Sequence, residues 1–324
     1  MSRFRFFDVV QSAAALVARA FVPRTAAGQP VDFADGGQAR YNLVYATVGA
    51  GRDLALDLFQ PPASRWTGPR PLVIYIHGGA FALMGKEGWL PIVGGIRFPR
   101  SIFADLVDRG YAVASLDYRL SGEAQFPLPL HDVKAGVRWL RAHAEELNLD
   151  PHRFAAWGES AGGWFSAMLA TTGDLPALEG DEGLTGVSSS VQAAVDWYGP
   201  TDFMSMDSQA VAPIALSHGV GSPEAAFLGC PPAQCPELSR TASPLSYVNP
   251  ATPPMLIQHG SLDHIVPPGQ STLLDRALTA VGTPHQCIIY PLTDHGFLGA
   301  VTLKPTTVLD TFHTFLDAHL DPNH

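Results

Sequence analysis

Segments rich in apolar and β-branched residues alternate with segments of helical spacing along most of this chain of 324 residues. The strand-like segments that follow an opening hairpin are PLVIYIHGG, YAVASLDYR, RFAAWGES, VQAAVDWYG, PPMLIQHGS and HQCIIYPL. The helical segments are SIFADLVDRG, HDVKAGVRWLRAHAEELN, SAGGWFSAMLATTG, GQSTLLDRALTAVG and TVLDTFHTFLDAHL. Parallel strands need long crossover connections, which are usually helices. The alternation therefore predicts an α/β fold with a mostly parallel central sheet and helices on both faces.

The same pattern divides the chain into a short N-terminal segment and one large domain. Residues 41–324 carry the alternation, and the segments ARYNLVYATV and RDLALDLFQP predict an antiparallel hairpin at its start. Residues 1–40 are predicted to form a helical or cap segment. A stretch rich in Pro, Ser and Gly, from about residue 203 to residue 247, interrupts the alternation. We interpret this stretch as a lid, with an ordinary surface excursion as the alternative.

The N-terminal sequence MSRFRFFDVVQSAAALVARAFVPR fits two interpretations. Its apolar residues recur at helical spacing, which favours an amphipathic helix packed on the domain. Early arginines and the triplet Ala18-Arg19-Ala20 also suggest a cleaved signal peptide, but Asp8 and Gln11 interrupt the apolar stretch that such a peptide needs. We favour the helix. The compartment stays open, with the cytoplasm favoured over secretion or the periplasm.

The three cysteines of the chain do not form a disulfide framework. Cys230 and Cys235 lie in CPPAQCP, close enough in sequence for a local bridge. Spacing alone does not supply the geometry that a disulfide requires, so a bridge and two free thiols are both open.

Composition excludes several classes of protein. The apolar content of 46% and the length of the chain suffice for a large core, and they fit one α/β domain with insertions as well as two small domains. A formal net charge of −10 argues against nucleic acid as a partner, because such binding depends on Lys and Arg displacing counterions. No apolar run reaches the roughly 18 residues of a membrane span. No metal-ligand spacing such as HExxH is present either, so we predict neither a metal nor another cofactor.

The sequence GESAG places Ser160 between Gly158 and Gly162, where a predicted strand gives way to a predicted helix. This is the context of a nucleophile elbow, in which a sharp turn from strand to helix exposes a serine hydroxyl. The two glycines are expected where strand and helix pass too close for a Cβ atom. A chance occurrence of the pattern is the alternative, and the strand and helix around it argue against chance. We therefore predict that Ser160 is a nucleophile.

A glycine-containing loop, HGGAF, follows the strand PLVIYI. The small residues Gly78, Gly79 and Ala80 leave backbone N–H groups free to face a carbonyl oxygen, as in the HGGG-type loop of an oxyanion hole. The remaining donor is the N–H of the residue after the nucleophile, Ala161. A simple glycine turn after a buried strand is the alternative. His77 is predicted to fix the loop through hydrogen bonds rather than to act as a base.

Proteins with this type of elbow carry the nucleophile, the acid and the histidine in that order along the chain. Asp263 lies just after the strand PPMLIQHGS, and His295 lies in the loop after the last strand. We predict that His295 takes the proton of the serine and that Asp263 orients His295. Asp294 is poorly placed for that task, because consecutive side chains in an extended loop point in different directions. His313 and His319 lie off the apolar stripe of the last helix and are expected to be exposed.

The motifs IHGGAF, GESAGG, HGSLDHIVP and DHGF, in this order, resemble those of α/β-hydrolase carboxylesterases of the hormone-sensitive-lipase-like group. The stretch ASPLSYVNPATPPMLIQHGSLDHIVPPGQS is more similar to their bacterial feruloyl and acetyl esterase-like relatives. The resemblance covers roughly residues 40–320 and implies the α/β-hydrolase fold. The site residues that it implies are the nucleophile Ser160, the base His295, the acid Asp263 and the oxyanion donors Gly79, Ala80 and Ala161. Ala80 stands where the lipase-like pattern has a third glycine, but a backbone donor survives that exchange.

These observations predict a cofactor-free serine hydrolase for small-molecule esters with short-chain or aromatic acyl groups, of the feruloyl or acetyl type. Phe81 and Trp164 lie near the motifs in sequence and are expected to line the substrate pocket. An amidase or aryl-formamidase would use the same triad. A ligand-binding protein could keep this fold without chemistry, although such proteins typically lack a triad member. Monomer and homodimer are both open.

Overall fold

The computed structural model describes residues 27–33, 36–87, 100–211, 216–299 and 305–321. The strands are β1 (Pro30–Asp32), β2 (Gln38–Val48), β3 (Arg52–Gln60), β4 (Arg70–Ile76), β5 (Ala112–Leu116), β6 (Leu149–Glu159), β7 (Ala193–Trp197), β8 (Met255–Gly260) and β9 (His285–Tyr290). The α-helices are α1 (Arg100–Asp108), α2 (Leu128–Ala142), α3 (Ala161–Thr172), α4 (Pro223–Leu228), α5 (Pro236–Thr241), α6 (Gly269–Val281) and α7 (Pro305–Leu320).

Within the described ranges the strands form one nine-stranded sheet in the order β1-β2-β3-β5-β4-β6-β7-β8-β9. The first three strands and the β3–β5 pair are antiparallel, and all pairs from β5 to β9 are parallel. β4 and β8 are buried at every residue, which explains why most of their side chains are apolar. The predicted hairpin, the predicted order of strands and helices and the mostly parallel sheet are confirmed.

Two cores lie on opposite faces of the sheet, as the side chains of β4 illustrate. Leu72, Ile74 and Ile76 belong to the core that includes α2 and α3, whereas Val73 and Tyr75 belong to the core that includes α1 and α7. Successive side chains of a strand point to opposite faces, so a strand buried on both sides supplies both cores. The prediction of helices on both faces is confirmed.

The sheet begins within the segment that the sequence predicts to be a helical cap. β1 and the first three residues of β2 precede residue 41, so the expected boundary at that residue falls inside the sheet. The amphipathic helix expected at the N-terminus lies outside the described residues. None of the helices in the described ranges combines the length and the apolar character that crossing a membrane requires.

The excursion between β7 and β8 contains α4, α5 and short 3₁₀ turns, and its role as a lid stays a prediction. Phe203 and Phe227 of this excursion are buried in the core beside α3. Leu216 donates its backbone N–H to the carbonyl oxygen of His264 at 3.0 Å, which joins the excursion to the loop after β8.

The final helix carries one polar side chain whose predicted environment is wrong. His313 is buried, and its Nε2 lies 2.7 Å from the Oδ2 of Asp105 on α1. The apolar stripe of α7 does not include His313, but α1 packs beside that stripe and covers the histidine. His319 is exposed, as predicted.

Cys230 and Cys235 form a disulfide inside the excursion, with their Cα atoms 6.3 Å apart. We expect thiol titration of the denatured, unreduced protein to find a single reactive thiol, that of Cys287. Burial raises the pKa of Cys287 to about 12, so this thiol should react slowly while the protein is folded. The bridge closes a short loop, and reduction should lower the free energy of unfolding by at most about 2 kcal/mol. Three reactive thiols before reduction would exclude the bridge.

Candidate active site

The turn between β6 and α3 consists of Ser160 alone, because the strand ends one residue before it and the helix begins one residue after it. Its φ of 56° and ψ of −120° are rare for a residue with a Cβ atom. A Cβ on Gly158 would lie 2.3 Å from the carbonyl oxygen of Gly162, and a Cβ on Gly162 would lie 2.0 Å from the last carbonyl oxygen of β4. Only glycine fits at these two positions, which lets strand and helix approach closely around the serine.

The loop after β4 lies beside this turn, and the backbone N–H groups of Gly79 and Ala80 belong to it. A Cβ on Gly78 would lie 3.4 Å from the Cβ of Ser160, so the loop runs directly beside the serine. Gly79 and Ala80 have φ values of 102° and 55°, which bend the chain sharply. Among the described residues, no acceptor receives a hydrogen bond from the backbone N–H of Gly79, Ala80 or Ala161. These donors are therefore free to meet the oxygen of a ligand.

Two buried side chains, those of His77 and Glu159, form hydrogen bonds with this loop. The His77 ring stacks on Tyr118 with centroids 4.3 Å apart, and its Nδ1–H donates to the Gly78 carbonyl at 2.8 Å. Burial lowers the pKa of His77 to about 4, so the ring is neutral at neutral pH. Glu159 accepts from the Gly78 N–H at 3.3 Å and from the Tyr75 hydroxyl at 2.6 Å. Burial raises the pKa of Glu159 to about 7. The sequence analysis did not predict a role for this residue.

Asp263 and His295 meet at the same edge of the sheet as the serine. β6, β8 and β9 are parallel members of one sheet, so the loops after them lie at a common edge. The Nδ1 of His295 lies 2.7 Å from the Oδ2 of Asp263. Burial acts to raise the pKa of Asp263. Electrostatic attraction to His295 and hydrogen bonds from His259 and His295 outweigh burial and hold that pKa below its usual range. The carboxylate is therefore ionised at neutral pH and faces the imidazole.

Asp294 points away from the ring of its neighbour. Its side chain accepts hydrogen bonds from the Nδ1 of His264 at 2.7 Å and from the backbone N–H of His295 at 2.7 Å. The second of these bonds joins main chain to side chain and leaves the imidazole of His295 to Asp263. Asp294 thus shapes the loop that carries His295.

No hydrogen bond joins the hydroxyl of Ser160 to His295, both of which the structure describes. Such contacts are often long before a substrate binds and tighten in the complex. The rings of His295 and Tyr198 form a T-shaped contact, with centroids 4.7 Å apart. Among the described residues, no group of three or more His, Cys, Asp or Glu side chains could hold a metal ion.

Phe81 and Trp164 are placed differently from the prediction that they line a substrate pocket. Phe81 is 2% exposed and Trp164 is 0% exposed. Phe81 stacks on Phe227 with ring centroids 4.2 Å apart, and the indole N–H of Trp164 donates to the carbonyl of Ala242 at 2.7 Å. Both aromatic side chains therefore belong to the core beneath the excursion, because residues distant in sequence cover them.

A family model described as BD-FAE matches residues 56–278, which is well over half of the chain. The chain belongs to the BD-FAE family. The matched range contains Ser160 and Asp263 and ends before His295. Membership confirms the resemblance that the motifs indicate, and with the sheet described above it establishes the α/β-hydrolase fold.

Comparison with individual proteins gives matches of similar kind. The chain is 28% identical over 271 residues to Esterase LipQ of Mycobacterium tuberculosis, and the alignment covers 82% of this chain and 59% of that protein. It is 28% identical over 266 residues to the Probable carboxylic ester hydrolase LipM of the same organism, and that alignment covers 80% of this chain and 57% of that protein. The chain thus spans little more than half the length of these curated relatives.

A solved structure is similar over nearly its whole length. It is described as a truncated form of carbohydrate esterase from gut microbiota. The TM-score is 0.73 at 29% sequence identity, and the similarity covers 89% of this chain and 99% of that one.

Proposed function

We propose that this protein is a carboxylic ester hydrolase in which Ser160, His295 and Asp263 form the catalytic triad. The observation that carries the proposal is the 2.7 Å contact between Asp263 and His295 at the edge of the sheet where the strained turn presents Ser160. The names of the relatives LipQ and LipM, an esterase and a probable carboxylic ester hydrolase, support the same class of reaction.

The proposed reaction begins when His295 Nε2 takes the proton of the Ser160 hydroxyl and the oxygen attacks the ester carbonyl. The N–H groups of Gly79, Ala80 and Ala161 stabilise the oxyanion that forms. The protonated imidazole then gives its proton to the leaving alcohol, and an acyl-enzyme remains. Water repeats the sequence and releases the acid.

Asp263 supports these proton transfers through its charge and its position. It accepts a hydrogen bond from Nδ1–H of His295, which leaves Nε2 without a proton and able to accept one from the serine. When His295 becomes charged, the adjacent carboxylate stabilises the imidazolium. The low pKa of Asp263 keeps the carboxylate ionised throughout.

For the substrate, we propose small esters with acetyl, other short-chain or feruloyl-type acyl groups. The motif resemblance to feruloyl and acetyl esterases supports this class. The description of the structural neighbour as a carbohydrate esterase is consistent with an acyl group carried on a hydroxylated alcohol.

Acyl groups of up to about eight carbons should be hydrolysed faster than longer ones. The described helices of the excursion, α4 and α5, have six residues each, too short to offer the long apolar face with which an amphipathic helix binds a lipid surface. Initial rates on p-nitrophenyl esters from acetate to palmitate measure the preference, with methyl ferulate beside them. Faster hydrolysis of palmitate than of butyrate would contradict it.

The same series tests the proposed reaction class. An acyl anilide of matched acyl group should react far more slowly than the ester, since an amine is the poorer leaving group. Comparable or faster turnover of the anilide would identify an amidase with the same triad, and absence of turnover on every substrate would contradict the hydrolase proposal.

A further inference from the structure

The carboxylate of Asp263 has a second histidine against it. The Oδ2 atom that faces His295 at 2.7 Å also lies 3.1 Å from the Nε2 of His259. The other carboxylate oxygen, Oδ1, accepts hydrogen bonds from the backbone N–H groups of Ile265 at 2.9 Å and Val266 at 2.8 Å. Asp263 is completely buried, and in the part of the chain that the structure describes these four groups are the hydrogen-bond donors to its two oxygens.

The neighbours of His259 identify which of its ring nitrogens carries a proton. Nε2 lies 2.9 Å from the carbonyl oxygen of Val266, a group that only accepts hydrogen bonds, so Nε2 is the protonated nitrogen. Its single N–H is shared between this carbonyl and Oδ2 of Asp263 in a three-centre hydrogen bond. Nδ1 lies 2.7 Å from the hydroxyl of Ser271, in the first turn of α6. In the neutral ring, Ser271 donates to Nδ1. This leaves both ring nitrogens paired in a side chain that is 0% exposed.

We propose that His259 is a positioning residue of the triad, whose Nε2–H donates to Asp263 Oδ2 and thereby holds the carboxylate in the orientation that His295 requires. This inference rests on the proposed function, since it assigns His259 to the same reaction. His259 lies at the end of β8 and Ser271 on α6, so two elements of the fold fix the donor. The backbone donors on Oδ1 hold the opposite end of the carboxylate.

The positioning role has an electrostatic consequence for His295. A hydrogen-bond donor on Oδ2 partly offsets the negative charge of the Asp263 carboxylate. The donor therefore weakens the attraction between this carboxylate and the imidazolium of His295. Loss of that donor should strengthen this attraction and favour the charged form of the His295 ring. The other ionisable groups that face the pair are Asp196 at the end of β7, Tyr198 just after it, and the Asp294–His264 pair in the neighbouring loops.

A matched pair of amide substitutions tests the role of the Nε2–H group. The amide nitrogen of glutamine is as many bonds from Cα as Nε2 of histidine, so His259→Gln keeps a donor facing Asp263. The amide nitrogen of asparagine corresponds to Nδ1, so His259→Asn loses the donor to Asp263. Both variants bury an amide in the same place, and the thermal midpoint of unfolding records how much each one destabilises the fold.

The readout is the pH profile of kcat/KM on p-nitrophenyl acetate, whose acid limb reports protonation of the proposed base in the free enzyme. We expect His259→Asn to move this limb upward by about 0.5 to 1 pH unit, because His295 then stays protonated to higher pH. The kcat of His259→Asn on the pH plateau should fall about tenfold with little change in KM, because the Asp263 carboxylate is less well oriented. His259→Gln should keep the acid limb within about 0.3 unit of the wild type.

A third variant, Ser271→Ala, keeps the histidine and removes only the group paired with Nδ1. We expect it to move the acid limb in the same direction as His259→Asn and by less, and it decides the question if neither amide variant folds. NMR titration of ¹⁵N-labelled histidines in the full chain follows the His295 ring without any substrate. This separates the inference from the proposed function, which fails by itself if the wild type hydrolyses no ester.

A lower unfolding midpoint with an unchanged acid limb and an unchanged His295 titration in His259→Asn would show that His259 only fills space. A downward shift, or equal shifts in the asparagine and glutamine variants, would also overturn the proposal.

Discussion

Replacement of Ser160 by alanine will lower kcat/KM for short-chain esters by at least about 10⁴-fold. In the proposed reaction the hydroxyl oxygen forms the bond to the acyl carbon, and alanine offers no atom in its place. The fold should tolerate the change, because the serine side chain makes no capping hydrogen bond to α3 and alanine keeps the same Cβ in the turn. We expect an unfolding free energy within about 0.5 kcal/mol of the wild type. Initial rates on p-nitrophenyl acetate and a circular dichroism melt measure both quantities.

The matched control is Ser166→Ala in the same helix, α3. Ser166 is completely buried, and its hydroxyl has no hydrogen-bond partner among the described residues. Removing an unpaired buried hydroxyl should leave activity unchanged and stability equal or slightly higher. If Ser160→Ala kept more than about a tenth of the wild-type rate with an unchanged melt, another nucleophile would have to be sought.

The order of elements could be predicted from the sequence because it depends on local pattern. Strands buried on both faces are apolar throughout, and the helices between them carry helical spacing, so each segment indicates its own type. The approach of Asp263 to His295 follows from the same pattern, because parallel neighbours end at one edge of the sheet. The order of the triad members along the chain and the position of each loop after its strand together led to the prediction of both residues.

Burial of single side chains could not be predicted in the same way. Phe81 and Trp164 lie beside the motifs of the proposed site in sequence, but Phe227, more than sixty positions away from either, packs against both. His313 follows the apolar stripe of its helix by one position, and it is covered by α1, a helix about two hundred positions earlier in the chain. The hydrophobic periodicity of a helix describes that helix alone. It does not identify the other element of the fold that will pack over the residues beside its apolar stripe.

His259 and Glu159 were missed for a related reason. Each is a polar residue near the end of a buried strand, and such a residue must find partners inside the protein. That signal was present in LIQHG and AAWGES. The identity of the partners, Asp263 for one and Gly78 with Tyr75 for the other, depends on loops that the pattern does not orient.

The second large effect distinguishes two neighbouring candidates for the acid, Asp263 and Asp294. We expect Asp263→Asn to lower kcat by on the order of 10³ to 10⁴. The backbone donors of Ile265 and Val266 face Oδ1, so the new amide should keep its oxygen there and turn its NH₂ toward the two histidines. Nδ1 of His295 must then accept a hydrogen bond instead of donating one. The proton moves to Nε2, which can no longer take the serine proton.

The same substitution at Asp294 should cost less than about tenfold. Asparagine keeps an oxygen that can accept from the backbone N–H of His295, and it loses only the charge facing His264. The imidazole of His295 and its contact with Asp263 stay as they are, so the remaining effect is a small change in loop geometry.

The two aspartate variants form a matched pair, because each replaces one carboxylate oxygen by an NH₂ group beside the same histidine. Their kcat values on p-nitrophenyl acetate, measured on the plateau above the acid limb, compare the two side chains with binding and protonation held constant. A larger loss in Asp263→Asn is required if the carboxylate that contacts Nδ1 sets the tautomer. The reverse ranking would assign the acid to Asp294, and the 2.7 Å contact of Asp263 with His295 would then be structural. Equal losses would mean that the loop after β9 must keep its shape for His295 to reach the serine at all.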